Sequence, residues 1–326
     1  MDNTKYFPAV EDIQKASGVL EEILEPTPLQ KNPNLSDVYD AQVYLKREDL
    51  QMVRSYKIRG AYNKIRSIAP EVLKYGIVCA SAGNHAQGVA FSCNKLHIMG
   101  SIYMPVTTPR QKIEQVRMFG KEYIDIVLVG DTFDAANAAA IEYAKKSGKT
   151  FIPPFDDQKI IEGQGTIGYE ILSQAKTAPD YVFVPIGGGG LASGVGAYIK
   201  TLSPKTKVIG VEPAGAPCMK VAIEKGEVIE LDQINKFVDG AAVKKAGKLT
   251  YEICKDVLDD IITVPEGAVC TSIIKLYNKS AIVVEPAGAL SIAALKFYSE
   301  EIKGKNVVCI VSGSNNDITR MEEIRE

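Results

Sequence analysis

Short apolar runs alternate along the chain with longer amphipathic stretches. The apolar runs predict strands at 42–46, 76–80, 99–104, 123–129, 181–186, 207–211, 261–264 and 306–311. Between them, helical spacing of apolar positions predicts helices at 57–68, 84–95, 109–119, 131–147, 159–175, 191–202, 215–225, 266–279 and 286–297. Several strand runs are nearly continuous, as in Tyr181-Val182-Phe183-Val184-Pro185-Ile186 and Asn306-Val307-Val308-Cys309-Ile310-Val311. Such runs fit strands covered on both faces, and hence a parallel sheet. The alternation predicts an α/β fold with right-handed crossovers. Residues 227–248 give the weakest regular signal and read as irregular surface.

The length of 326 residues suits about two domains. Pro153-Pro154 halts regular structure and suits a crossing between them. The expectation is two doubly wound α/β domains. The larger takes 1–75 and 153–326, and the smaller, 76–152, is inserted within it.

Charge and composition exclude several classes. Lys and Arg total 38 against 40 Asp and Glu, so nucleic-acid binding loses its main driver. No apolar run reaches the roughly 18 residues of a membrane span, and residues 1–5 form no apolar signal stretch. The six cysteines are scattered, without a CxxC pair, and most lie in apolar runs such as Ile77-Val78-Cys79-Ala80. They read as reduced thiols acting as small hydrophobes in a cytoplasmic protein. Only His85 and His97 are present, which excludes a multi-histidine metal site.

Four segments can carry chemistry. Gly187-Gly188-Gly189-Gly190 follows an apolar strand and precedes the helix that begins Leu191-Ala192-Ser193. Glycines let the backbone approach a ligand, and N–H groups at a helix N-terminus attract anions. A tight turn without a ligand is the plain alternative. A dinucleotide site is another, since Gly187, Gly189 and Ala192 fit a loose G-x-G-x-x-A pattern and Glu212 lies 25 residues after Gly187. Ser81-Ala82-Gly83-Asn84-His85 opens a second helix, where Ser81 and Asn84 could cap or contact a ligand. Two such loops suit a ligand with two anionic ends. Lys57, flanked by Arg54 and Arg59, is a candidate Schiff-base lysine if neighbouring cations and burial lower its pKa, and otherwise part of a solvated basic face. Ser312 ends an apolar strand, where ligands gather in doubly wound sheets, though a plain turn fits equally.

Taken together these segments resemble the fold-type II pyridoxal-phosphate enzymes and, within them, the threonine dehydratases. Lys46-Arg47-Glu48-Asp49-Leu50 followed by Ser55-Tyr56-Lys57-Ile58-Arg59-Gly60-Ala61 resembles the family's lysine segment. The resemblance covers nearly the whole chain, in order. It implies that Lys57 carries pyridoxal phosphate as a Schiff base and removes the substrate's α-proton. It implies a cofactor site of Lys57, Tyr56, Asn84, Gly187, Gly188, Gly189, Gly190, Leu191 and Ser312, with Asn84 on the ring's 3′-oxygen and Ser312 on the ring nitrogen. It implies that Ser81, Ala82, Gly83, Asn84 and His85 bind the substrate carboxylate.

The implied reaction is β-elimination, turning L-threonine into 2-oxobutanoate and ammonia, with L-serine giving pyruvate. Ala82 stands where serine racemases carry a catalytic Ser, which favours elimination over racemisation. Cys218 stands in place of an acidic metal ligand of the racemase-like branch, so no metal is expected. Val284-Glu285-Pro286-Ala287-Gly288-Ala289-Leu290 and Gly240-Ala241-Ala242-Val243 resemble the biosynthetic branch, which serves isoleucine formation. No C-terminal regulatory domain is expected within these residues. Partners implied are a small amino-acid substrate and further copies of the chain, as a homo-oligomer (dimer or tetramer). A serine racemase or serine dehydratase, and more remotely an NAD-dependent dehydrogenase or a non-catalytic binding protein, are the alternatives.

Overall fold

Ten strands form in the computed structural model, which describes residues 6–317 and 321–325. Residues 1–5, read above as lacking an apolar stretch, lie outside these. The strands are β1 (Leu29–Lys31), β2 (Gln42–Arg47), β3 (Ile77–Ala80), β4 (Gly100–Met104), β5 (Ile124–Leu128), β6 (Thr150–Phe151), β7 (Tyr181–Pro185), β8 (Lys207–Pro213), β9 (Asp260–Val264) and β10 (Asn306–Val311). They divide into a six-stranded sheet, β1-β2-β10-β7-β8-β9, and a four-stranded sheet, β5-β4-β3-β6. Every pairing is parallel except β1 with β2. The apolar runs explain this. β3 and β4 are buried throughout, and β7 and β10 at all but their first residue, as strands covered on both faces must be.

Sheet order fixes where ligands can sit. β7 leads to β8 on one side, while β10 pairs on its other side. β3 leads to β4 on one side, while β6 pairs on its other side. Crossovers therefore diverge at the C-terminal ends of β7 and β3, and such switch points leave open crevices. The loop of residues 187–190 follows β7, and the loop of residues 81–84 follows β3.

The helix Lys57–Arg66 precedes residue 76, yet its apolar face belongs with the four-stranded sheet. Ala61 and Ile65 share a core with Ile77, Cys79, Val89, Ile102 and Ile160. Sequence position alone could not reveal this, because the helix is amphipathic and either sheet could have covered it.

Several elements escaped the sequence pattern. β1 and β6 are too short to show alternation. The helix Val10–Leu20 buries Ile13, Ala16 and Leu20. Lys248–Val257 is a helix burying Thr250, Tyr251, Ile253, Cys254 and Val257, at helical spacing that the sequence did display. The expected helix at 286–297 is α-helical over Pro286–Ala293 and 3-10 over Ala294–Tyr298. The region 227–248 is irregular as read, but not all surface: Val238 and Ala241 enter the core of the larger sheet.

None of the six cysteines is in a disulfide, and five are buried. Among the described residues no helix is long and apolar enough to cross a membrane.

Candidate active site

Lys57 is the first residue of its helix. The stretch before it is tied to the end of β10. Tyr56 N–H donates to the Ser312 carbonyl at 3.2 Å, Ser314 N–H donates to the Arg54 carbonyl at 2.9 Å, and Ser55 bridges to Gly313. These bonds bring Ser312, buried, beside the lysine segment. Lys57 Nζ donates to the Pro154 carbonyl at 2.9 Å and lies 5.4 Å from the centre of the Tyr56 ring.

Burial draws the Lys57 pKa down to about 8, against a partial upward pull from Glu285. The neighbouring arginines do not cause this. Arg54 is exposed. Arg59 is buried and spent elsewhere: it pairs with Glu48 at 2.8 Å and Glu170 at 2.6 Å, and Glu170 also pairs with Lys46. Sequence showed the cations and not their partners, so the expected cation–cation effect gives way to desolvation.

The loop after β3 is arranged differently from an ordinary cap. Gly83 is the N-cap of the helix Asn84–Leu96, and no side chain caps it. Ser81 Oγ instead accepts from Gly83 N–H at 3.2 Å. Asn84 Nδ2 donates to Glu285 Oε1 at 2.6 Å, and Asn84 Oδ1 accepts from Asn315 Nδ2 at 2.7 Å. The first-turn N–H groups are left without a side-chain acceptor, which suits a carboxylate. Ser81, Ala82, Gly83 and Asn84 are half-buried. His85 is buried, with Nε2 3.0 Å from the Ile152 carbonyl. A carbonyl only accepts, so Nε2 carries the proton. Burial, then the nearby Lys57, push the imidazole pKa down to about 3, so His85 is neutral.

The loop after β7 is the second anion-ready end. Gly189, at φ +96°, is the N-cap of the helix Gly190–Leu202, again with no side-chain cap bond. That φ is the left-handed region where glycine alone is unstrained. A Cβ at Gly188 would overlap the ring of Phe155, and one at Gly190 would crowd the Phe155 backbone at 3.1 Å. The loop is held from behind. Thr250 Oγ1 donates to the Gly188 carbonyl at 2.6 Å, and Cys218 Sγ donates to the Gly187 carbonyl at 3.5 Å. Leu191 is buried at the start of the helix.

One stretch, 152–157, touches all three parts. Ile152 meets His85, Pro154 meets Lys57, and Phe155 covers Gly188. The double proline had been read only as a crossing. Phe155, Glu285 and Asn315 were likewise absent from the residues assigned to the site. The one available signal was Glu285 inside a motif used to choose a branch.

The dinucleotide alternative loses its acid. Glu212 is buried, and its two oxygens each accept a backbone N–H at 2.8 Å, from Met219 and Lys220. Burial raises its pKa to about 7, and with no exposed surface it is closed to a ribose. Among the described residues no group of three or more His, Cys, Asp or Glu could hold a metal ion.

A desolvated lysine, linked through residues 152–155 to two uncapped, glycine-led helix ends, suits a ligand that carries a carbonyl carbon and two anionic groups. A family described as pyridoxal-phosphate dependent enzyme matches residues 20–313. The chain belongs to that family. Its cofactor is pyridoxal phosphate, and its fold is that of the fold-type II members. The chain is 60% identical over 317 residues to biosynthetic L-threonine dehydratase IlvA of Halalkalibacterium halodurans, covering 97% of this chain and 76% of that one. It is 57% identical to the enzyme of the same name from Bacillus subtilis, covering 97% and 75%. Its fold is similar to the processed form of threonine deaminase isoform 2 from Solanum lycopersicum, with TM-score 0.93 and 40% identity, covering 97% and 86%. Maize serine racemase is similar at TM-score 0.90 and 29% identity, covering 98% and 97%.

Proposed function

We propose that the protein is a threonine ammonia-lyase that eliminates the β-hydroxyl of L-threonine, yielding 2-oxobutanoate and ammonia, with L-serine giving pyruvate as a side activity. The observation that carries this is Lys57, desolvated at the head of its helix and hydrogen-bonded to the 152–157 crossing, which also touches both glycine-led loops. The relatives at 52–60% identity bear the threonine dehydratase name.

The site fits the cofactor. The uncapped N-terminus formed by Gly187, Gly188, Gly189, Gly190 and Leu191 would hold its phosphate. Lys57 would be the attachment point, Tyr56 would line the ring, Asn84 would offer an N–H to the ring oxygen, and Ser312 would offer a hydroxyl to the ring nitrogen. When bound, pyridoxal phosphate supplies an electron sink for the pair released at the substrate's α-carbon. The protein's own groups do the rest. Ser81, Ala82, Gly83, Asn84 and His85 bind the substrate carboxylate at the second helix N-terminus. Neutral His85 adds no competing positive charge beside Lys57. Lys57 Nζ, with its pKa brought to about 8, takes the α-proton near neutral pH. Ala82 offers no hydroxyl for returning a proton to the opposite face, which favours elimination over racemisation.

We further infer a homo-oligomer, dimer or tetramer, working in the cytoplasm as part of isoleucine formation. Six cysteines without a disulfide suit a reducing compartment. We also infer a division into a larger cofactor domain (1–75 and 153–326) and a smaller inserted one (76–152), with the Lys57 helix docked on the smaller. The purified protein should be yellow and release a 2-oxo acid from threonine faster than from serine. Lys57→Ala should remove both the borohydride-reducible colour and the activity. A Lys57→Ala protein with full activity would reject the assignment.

A further inference from the structure

Glu285 is a buried carboxylate for which Gly313 makes room. A Cβ at Gly313 would sit 2.5 Å from its Oε1, and a Cβ at Gly240 would sit 3.5 Å from it. A Cβ at Gly288 would overlap the Gly313 carbonyl and displace that wall. The carboxylate also precedes Pro286, at the N-cap position of the helix Pro286–Ala293, yet it makes no capping bond to that helix. Its Oε1 turns instead to Asn84 Nδ2, 2.6 Å away on a helix of the other sheet.

That bond decides how the Asn84 amide faces. Asn84 Oδ1 accepts from Asn315 Nδ2 at 2.7 Å. Turning the amide over would set its oxygen against the Glu285 carboxylate and its NH₂ against the NH₂ of Asn315. Both changes replace a hydrogen bond with a repulsion, so the amide has one orientation. An amide nitrogen has two hydrogens, and Glu285 takes one. We propose that Glu285 is a positioning residue, whose carboxylate locks Asn84 so that its remaining N–H is presented to an oxygen of bound pyridoxal phosphate. This rests on the cofactor site described under Proposed function. Burial and Asp239 raise the Glu285 pKa, Asn84, Lys112 and Lys57 lower it, and the net value is about 7.

The test is a double-mutant cycle read by cofactor affinity, with apoprotein titrated with pyridoxal phosphate and followed by visible absorbance. Glu285→Ala is expected to weaken binding about tenfold, as for loss of a hydrogen bond to a charged group. Asn84→Ala should weaken it about as much, and the double variant no more than about twofold beyond Asn84→Ala. Glu285→Gln keeps an acceptor oxygen for Asn84 and should restore most of the affinity. If Glu285→Ala does not fold, Glu285→Asp, which withdraws the carboxylate by one methylene, takes its place in the cycle. Losses that multiply in the double variant, or an Asp variant that binds as tightly as the parent, overturn the proposal. A parent apoprotein that takes up no pyridoxal phosphate overturns the cofactor site itself instead.

Discussion

Lys57 and Pro154 are joined by a single hydrogen bond, 2.9 Å from Nζ to the proline carbonyl, across 97 residues of sequence. The bond holds the amine in the crevice while burial weakens its hold on its proton.

That combination predicts the pH at which the apoprotein takes up its cofactor. Only an unprotonated amine attacks a carbonyl, so uptake is slow where Lys57 is protonated and rises as pH passes its pKa. The midpoint should fall at about 8, well below the ordinary lysine value of 10.5. Stopped-flow absorbance after mixing apoprotein with pyridoxal phosphate, from pH 6.5 to 9.5, measures it. A midpoint near 10 would show that Lys57 is solvated.

Gly188 and Phe155 should behave as a steric pair. Gly188→Ala forces a methyl group into the Phe155 ring. Overpacking of this kind costs about 1–3 kcal/mol, so cofactor affinity should fall by roughly tenfold or more. Phe155→Ala in the same chain should recover much of that loss by vacating the space. Equilibrium titration of both variants with pyridoxal phosphate checks the pair.

Arg59 should matter for stability more than for chemistry. It is buried between Glu48 and Glu170, two residues after Lys57. Arg59→Ala strands two buried carboxylates, and breaking such a pair costs about 3–5 kcal/mol. Urea unfolding should show that loss. Burial alone would raise the Glu48 pKa, but Arg59 and Lys46 hold it below 4.5. The sign follows: the contribution is complete above that value and is lost as pH falls below it. In Arg59→Ala this acid-side dependence should flatten.

Asp156 should act on the glycine loop from a distance. Its carboxylate accepts the N–H groups of Lys248, Leu249 and Thr250 at 3.0 to 3.1 Å, capping the helix Lys248–Val257. Thr250 of that helix grips the Gly188 carbonyl. Asp156→Ala should cost about 1 kcal/mol in stability and also weaken cofactor binding. A drop in melting temperature with unchanged cofactor affinity would separate the cap from the loop.

The sequence by itself determined the α/β alternation, the parallel strands and the loops that end them. Near-continuous Val and Ile runs suit strands buried on both faces, and four successive glycines suit a close backbone approach. The lysine, the two loops and Ser312 were legible for the same local reason, each lying in one short segment. Helices 10–20 and 248–257 carried readable apolar spacing, whereas β1 and β6 were too short to carry any.

What tertiary structure decided is every relation between segments. It gave Lys57 a lowered pKa through burial rather than through Arg54 and Arg59, because burial depends on what packs above a residue. It closed Glu212 onto a helix N-terminus and turned Glu285 away from its own helix toward Asn84. It made the 152–157 crossing a wall of the site. Apart from the Glu212 bonds, which span seven and eight residues, these are contacts across tens to hundreds of residues, set by which strand ends share a crevice, and no local pattern encodes them.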